Sequence, residues 1–215
     1  LGIHWFSPAE EIVLPAAPVQ LDLKKLTGCH VPDFSYRGLH ICAGNYHFDD
    51  RVAQWMSFNR MNRKLTHLPE DAILGERLRE LGLRPDTTVH AYSLIIPDRK
   101  YFESNPEFFA LVGGKRIGQE NGGQLCLSNP KMRETFAREL HELIRQKPHI
   151  GVYGICPNDG YGWCECEKCA ALDTPEDRKN KQVNGRVADF AADICARMEK
   201  SDPTAYIGHY SYSNF

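Results

Sequence analysis

No stretch of the 215 residues approaches the ~20 consecutive apolar residues that a membrane-spanning helix needs. No signal peptide is visible. Lysine and arginine form no block and the net charge is −2, so nothing favours nucleic acid or an anionic membrane surface as a partner. No glycine-rich turn follows the first expected strand, which weakens a dinucleotide-binding reading. Gly113-Gly114-Lys115-Arg116 lacks the six-residue spacing and the trailing Ser/Thr of a phosphate loop. It reads as a turn with both cations solvated. The eight cysteines make no small disulfide framework, because the chain is too long and its core too ample to need one. Cys29, Cys42, Cys126, Cys156 and Cys195 lie in or near apolar runs and are expected to be small buried apolar residues.

What is present is globular in composition, 42% hydrophobic and 25% charged. Residues 1–33 carry Pro8, Pro15, Pro18 and Pro32, which argue against a long helix. They read as a lead-in from a preceding domain. Residues 34–215 alternate strands with helices. Strands are expected at Tyr36–Cys42, Lys64–Leu68, Thr88–Ile96, Ile150–Cys156 and Ala205–Tyr210. A helix capped by Asp49 or Asp50 presents Val52, Trp55 and Met56, and another presents Ile73, Leu74, Leu78 and Leu81 before Gly82. Asn129 and Pro130 open a helix facing inward through Met132, Phe136, Leu140, Leu143 and Ile144. Val183, Val187, Phe190, Ile194 and Met198 share one face of the last helix.

This alternation implies an α/β fold with parallel strands. The two longest loops, 97–128 and 157–182, both leave C-terminal strand ends, while the helix-to-strand connections are short. That asymmetry favours a (β/α)8 TIM barrel over an open doubly wound sheet. About five of its strands would be present, so further parts of the same chain are expected before Leu1 and after Phe215.

The least ordinary stretch is Ile155–Asp173. A buried strand breaks at Pro157 into the turn Asn158-Asp159-Gly160, and three cysteines follow. A carboxylate at the end of a barrel strand stands in the barrel mouth. Asp159 is therefore the candidate general acid of a glycoside hydrolase, partly desolvated so that its pKa is raised. The competing reading is a plain turn in which Asp159 bonds its own backbone. Polar and aromatic residues recur where the strands end, as sugar sites require. They are His40, His47, His67, His90, Tyr92, His209 and Tyr210, with Asn158 beside the acid. Arg37 is placed to reach a substrate carboxylate, or to make a structural ion pair.

Cys164, Cys166 and Cys169 have the spacing C-x-C-x2-C. A Cys164–Cys166 bond would be strained. Structural zinc, disulfides to other cysteines and free thiols all remain open. A fourth zinc ligand would be Cys156, Cys126, a histidine or Asp173.

Five segments in order carry a family resemblance: LGIHWFSPAEE at 1–11, PDFSYRG at 32–38, NPEFFALVGGKR at 105–116, QLCLSNP at 124–130 and PNDGYGWCECEKC at 157–169. They resemble the bacterial domain of unknown function 4838. That family is similar to barrel domains of glycoside hydrolases of the α-glucuronidase and β-hexosaminidase types. The resemblance implies a barrel, a small α/β domain before it, export from the cell, a carbohydrate substrate and no cofactor for catalysis. By the same analogy the acid ends strand four, where Asp159 stands. An asparagine precedes it, so a substrate-assisted acid pair is not matched, and a second carboxylate is expected beyond Phe215. The alternative to an enzyme is a carbohydrate-binding barrel with its rim loop stapled by zinc or disulfides.

Overall fold

The computed structural model describes residues 31–39, 50–65, 72–87 and 90–210. The chain divides into two compact units, Leu1–Pro85 and Asp86–Phe215. Almost all of the expected lead-in, together with His40, His47 and His67, lies outside the described residues.

The first unit alternates as its sequence demands. Its elements are β1 (Gly38–Leu39), α1 (Asp50–Phe58), β2 (Arg63–Leu65), α2 (Ala72–Glu80) and, at its end, β3 (Arg84–Asp86). The strands lie in the order β1-β2-β3, and β1 pairs with β2 in parallel. Ala53 and Met56 of α1 meet Leu78 and Leu83 in a small core. Gly82, at φ +73°, takes the left-handed conformation that stops α2.

The second unit holds α3 (Tyr92–Ile95), α4 (Asp98–Tyr101), β4 (Ala110–Val112) and β5 (Lys115–Ile117). It continues through α5 (Pro130–Gln146), β6 (Val152–Gly154), α6 (Glu167–Ala171), α7 (Pro175–Asn180), α8 (Asn184–Ser201) and β7 (Tyr206–Gly208). β6 and β7 pair in parallel, and parallel bridges join Thr87 to Tyr153 and His90 to Cys156. Segment 152–156 thus runs between Thr87 and His90 on one side and 206–208 on the other, with parallel pairing on both. The two long helices form as their sequences dictate. The Asn129 side chain accepts the Met132 N–H at 3.0 Å, and Pro130 fills the first position, where no N–H is needed. The apolar faces of α5 and α8 pack together through Phe136, Leu140, Phe190, Ile194 and Met198.

The result is an α/β fold with parallel pairing, in sheets of two or three strands among the described residues. One expectation fails. The third strand is not Thr88–Ile96: the extended segment comes earlier, and residues 92–95 are helical. Tyr92, Ile95 and Ile96 are buried at i, i+3 and i+4, a helical spacing hidden inside a short, mostly apolar run. Gly113-Gly114 is the expected turn and forms the tip of the β4–β5 hairpin, with Lys115 and Arg116 in β5. Both glycines have positive φ, +56° and +79°, as a two-residue hairpin turn matched to strand twist requires.

Candidate functional site

The three parallel segments of the second unit end on one edge, and polar side chains collect there. His90 ends the first segment. Its Nε2 lies 3.3 Å from Asp159 Oδ2, and its Nδ1 contacts the Pro157 carbonyl oxygen. The His90 and Tyr210 rings meet edge to face, with centroids 6.2 Å apart. The Tyr210 N–H donates to Cys156 Sγ at 3.0 Å. His209 is half-buried, and its burial lowers its pKa against a smaller opposing hydrogen bond at Tyr210. Asp159 itself is 77% exposed, so the desolvation expected of it is not present. Tyr161, two residues on, is 76% exposed and offers an open aromatic face.

The turn that carries Asp159 is held at Asn158. Gln124 is buried, and its side-chain amide pairs with the Asn158 backbone. Nε2 donates to Asn158 O at 2.7 Å and Oε1 accepts from Asn158 N at 3.2 Å. The Asn158 side chain donates to Gln119 Oε1 at 2.6 Å and accepts from Ser93 N and Oγ at 3.3 Å each. Asn158 is thus part of the scaffold beneath the acid.

Below this edge, Cys126, Cys164, Cys166 and Cys169 bring four sulfurs within 4.8 Å of one another. Cys126 Sγ is 3.8 Å from both Cys166 Sγ and Cys169 Sγ. Thiolates around a tetrahedral zinc at ~2.3 Å would be roughly 3.8 Å apart. Four close cysteines of this geometry can hold a metal ion, and none of the four is in a disulfide. The Leu111 N–H and Arg116 Nη1 approach Cys164 Sγ at 3.3 and 3.7 Å. Hydrogen bonds from the Cys164 and Cys169 thiols hold Cys126 well below the usual thiol range, and the contacts of Cys169 with Cys126 and Cys164 push Cys169 upward. Burial opposes the Arg116 charge, and the hydrogen bond and field of the sulfurs outweigh it and raise its pKa. An open cleft of about 520 Å³ reaches the sulfurs from the side of Arg116, Ser128 and Lys168.

The loop after the cysteines is braced by a buried ion pair. Arg186 directs Nε and Nη2 to the two oxygens of Asp173 and Nη1 to Cys164 O at 2.7 Å. Asp173 is thereby removed from the candidate ligands. Cys156 does not join the four close sulfurs; its own sulfur accepts the Tyr210 N–H.

Other sequence expectations are redistributed. Tyr92 is not at the polar edge. It is completely buried, with Phe136 and Phe190 packed edge-on to it at 5.8 and 5.5 Å. Its burial raises the hydroxyl pKa. Arg37 lies in the first unit and gives Nε to Arg60 O and Nη1 to Phe34 O, so among the described residues it holds local backbone. Lys115 is exposed as expected, whereas Arg116 turns toward the sulfurs. Cys195 is exposed, not buried. Gln124, Arg116, Arg186 and Tyr161 went unnoticed as site residues. The only available signal was the proximity of Gln124 and Arg116 to Cys126 and the glycine pair.

The family described as Domain of unknown function (DUF4838) matches residues 5–215. No curated protein matches the chain. Among solved structures, the beta-galactosidase from Bacillus circulans sp. alkalophilus aligns at 10% identity and TM-score 0.46, over 81% of this chain and 36% of that one. A point mutant of the Thermobaculum terrenum O-GlcNAc hydrolase aligns at 15% identity and TM-score 0.44, over 82% and 35%. The chain spans about a third of the length of each. It belongs to the DUF4838 family.

Proposed function

We propose that this member of the DUF4838 family is part of a β/α barrel that hydrolyses glycosidic bonds in a poly- or oligosaccharide, with Asp159 as general acid. The observation that carries the reading is the Asp159–His90 contact at the C-terminal edge of parallel strands. A carbonyl oxygen can only accept, so the Pro157 carbonyl requires a hydrogen on His90 Nδ1. In a neutral imidazole Nε2 is then bare, and Nε2 and the carboxylate are both acceptors. One proton between them turns the contact into a hydrogen bond. A proton held beside an open face is what cleavage of a glycosidic oxygen consumes. Tyr161, Tyr210 and His209 offer rings of the kind that sugar faces stack upon. The cysteine cluster enters this reading as a structural zinc site, since soft thiolates at tetrahedral spacing suit that ion. Catalysis itself needs no cofactor. We place the protein among exported bacterial glycan-degrading enzymes.

The test is reducing-sugar release by the full-length protein across plant, host and bacterial glycans, with Asp159→Asn alongside. Release should fall by about 100-fold or more in the variant, with its circular dichroism unchanged. Full activity in Asp159→Asn would remove the acid from that residue. The high exposure of Asp159 favours a second reading, a carbohydrate-binding barrel without turnover. Retained binding with no release on that panel would establish it.

A further inference from the structure

Gln124 uses every hydrogen-bonding group it has to join three segments. Its backbone oxygen accepts from Ala110 N at 2.8 Å, and its backbone N–H donates to Gly162 O at 2.9 Å. Its side chain takes both backbone groups of Asn158. At 1% exposure, none of these bonds can be exchanged for water without opening the structure. Two residues further on, Cys126 donates its N–H to Phe108 O at 2.7 Å and lends its sulfur to the four-cysteine cluster. Segment 122–128 is therefore tied to the 162–169 loop twice, once at Gly162 and once at the sulfurs.

We propose that Gln124 is the positioning residue for the Asn158–Asp159 turn, and that a zinc ion on Cys126, Cys164, Cys166 and Cys169 keeps Gln124 in register with that turn. The proposal deepens the glycosidase reading and rests on it for the role of Asp159. The Asn158 side chain is anchored separately by Gln119 and Ser93, and His90 contacts Pro157 and Asp159, but it is Gln124 that takes the Asn158 backbone groups. Asp159 and Gly160 are exposed, and Gly160 sits at φ +114°, a conformation only glycine adopts easily. Without a metal, the sulfur end of the tie is only a set of weak thiol hydrogen bonds, and of the two ties between segment 122–128 and the 162–169 loop the Gln124–Gly162 bond is the stronger one left, while the Ala110 and Phe108 bonds hold Gln124 to a different segment.

The test reads amide hydrogen exchange at Asn158 together with zinc content. Gln124→Leu keeps the volume and removes both side-chain partners. It should retain one zinc per chain, exchange its Asn158 amide about tenfold faster or more, and leave the α5 and α8 amides protected. Removing zinc from the wild-type chain with a chelator should accelerate the same amide and leave α5 and α8 protected. If glycan cleavage is present, Gln124→Leu should lower kcat with KM retained. Unchanged Asn158 exchange in either experiment overturns the proposal, as does the absence of bound zinc. Loss of protection throughout α5 and α8 on chelation would overturn it too, making the metal a global staple. Both exchange results together with wild-type protein that cleaves no glycan would sink the acid reading of Asp159 and leave the mechanical tie standing.

Discussion

Gly162→Ala is the sharpest steric test of how the cysteine loop is seated. A Cβ at Gly162 would lie 1.9 Å from Gly122 O and 2.8 Å from both Gly122 C and Gly123 Cα. All three are backbone atoms, so no side chain can turn aside. Contacts under 3.0 Å are essentially never tolerated, so the two segments must separate by more than 1 Å. The Gln124 N–H to Gly162 O bond, 2.9 Å long, would then stretch beyond hydrogen-bond range. Overpacking of this kind costs about 1–3 kcal/mol, and the lost buried bond adds about 1 kcal/mol more. In a domain of this size that corresponds to a fall in Tm on the order of 10 °C. Gly114→Ala is the control: it sits at φ +79° with nothing within 4 Å of a Cβ, so only backbone strain is added, about 1–2 kcal/mol. Thermal melts of the two variants, with zinc content measured on each, decide the matter. A Gly162→Ala protein that melts with the wild type and shows the same zinc content would refute the close apposition of segments 122–124 and 162.

Two further outcomes follow from buried polar groups. Burial works against the Asp177 carboxylate, but N–H groups of Thr174 and Gly185, the Thr174 side chain and the Asn184 amide outweigh it and lower its pKa from 3.8 to about 2. Its folded pKa lies below the unfolded one, so its contribution is present above pH 3.8 and is lost as pH falls toward 2. Urea midpoints over that window should fall more steeply for wild type than for Asp177→Asn, and equal slopes would count against the reading. Tyr92→Phe should leave stability unchanged or raise it by about 1 kcal/mol in urea unfolding, because the Tyr92 hydroxyl is buried with no hydrogen-bond partner among the described residues. A loss of more than about 1 kcal/mol would mean that the hydroxyl is bonded after all.

The long helices were legible because two independent signals agreed. Asn129-Pro130 marked a start and Met132, Phe136 and Leu140 a face, and Val187, Phe190, Ile194 and Met198 repeated the same period. The third strand was misplaced because Tyr92, Ile95 and Ile96 stand in a short apolar run, where a helical turn and a strand look alike. The Gly113-Gly114 hairpin was missed although its flanks, Ala110–Val112 and Lys115–Ile117, are short strands; two glycines in a row are its signal. At the cluster, the spacing of Cys164, Cys166 and Cys169 was enough to suspect a metal. The choice of Cys126 over Cys156 or Asp173 was not, since it depends on the tertiary fold, which brings the Cys126 sulfur to the other three and sets Asp173 against Arg186. Arg116 was equally hidden, because a cation beside a turn is usually solvated, and only the hairpin's fold aims it at sulfur.

Three of the four cysteines are sequence neighbours, and the fourth is separated from them by all of α5 and β6. An unfolded chain can bring Cys164, Cys166 and Cys169 around one ion at little entropic cost. Recruiting Cys126 means closing a loop of about 40 residues, which costs roughly 3 kcal/mol in chain entropy. That closure is favourable only once α5 has packed on α8 and delivered its leading segment. A metal bound by three ligands would thus wait on folding, and four-fold ligation would mark the moment when the second unit has assembled.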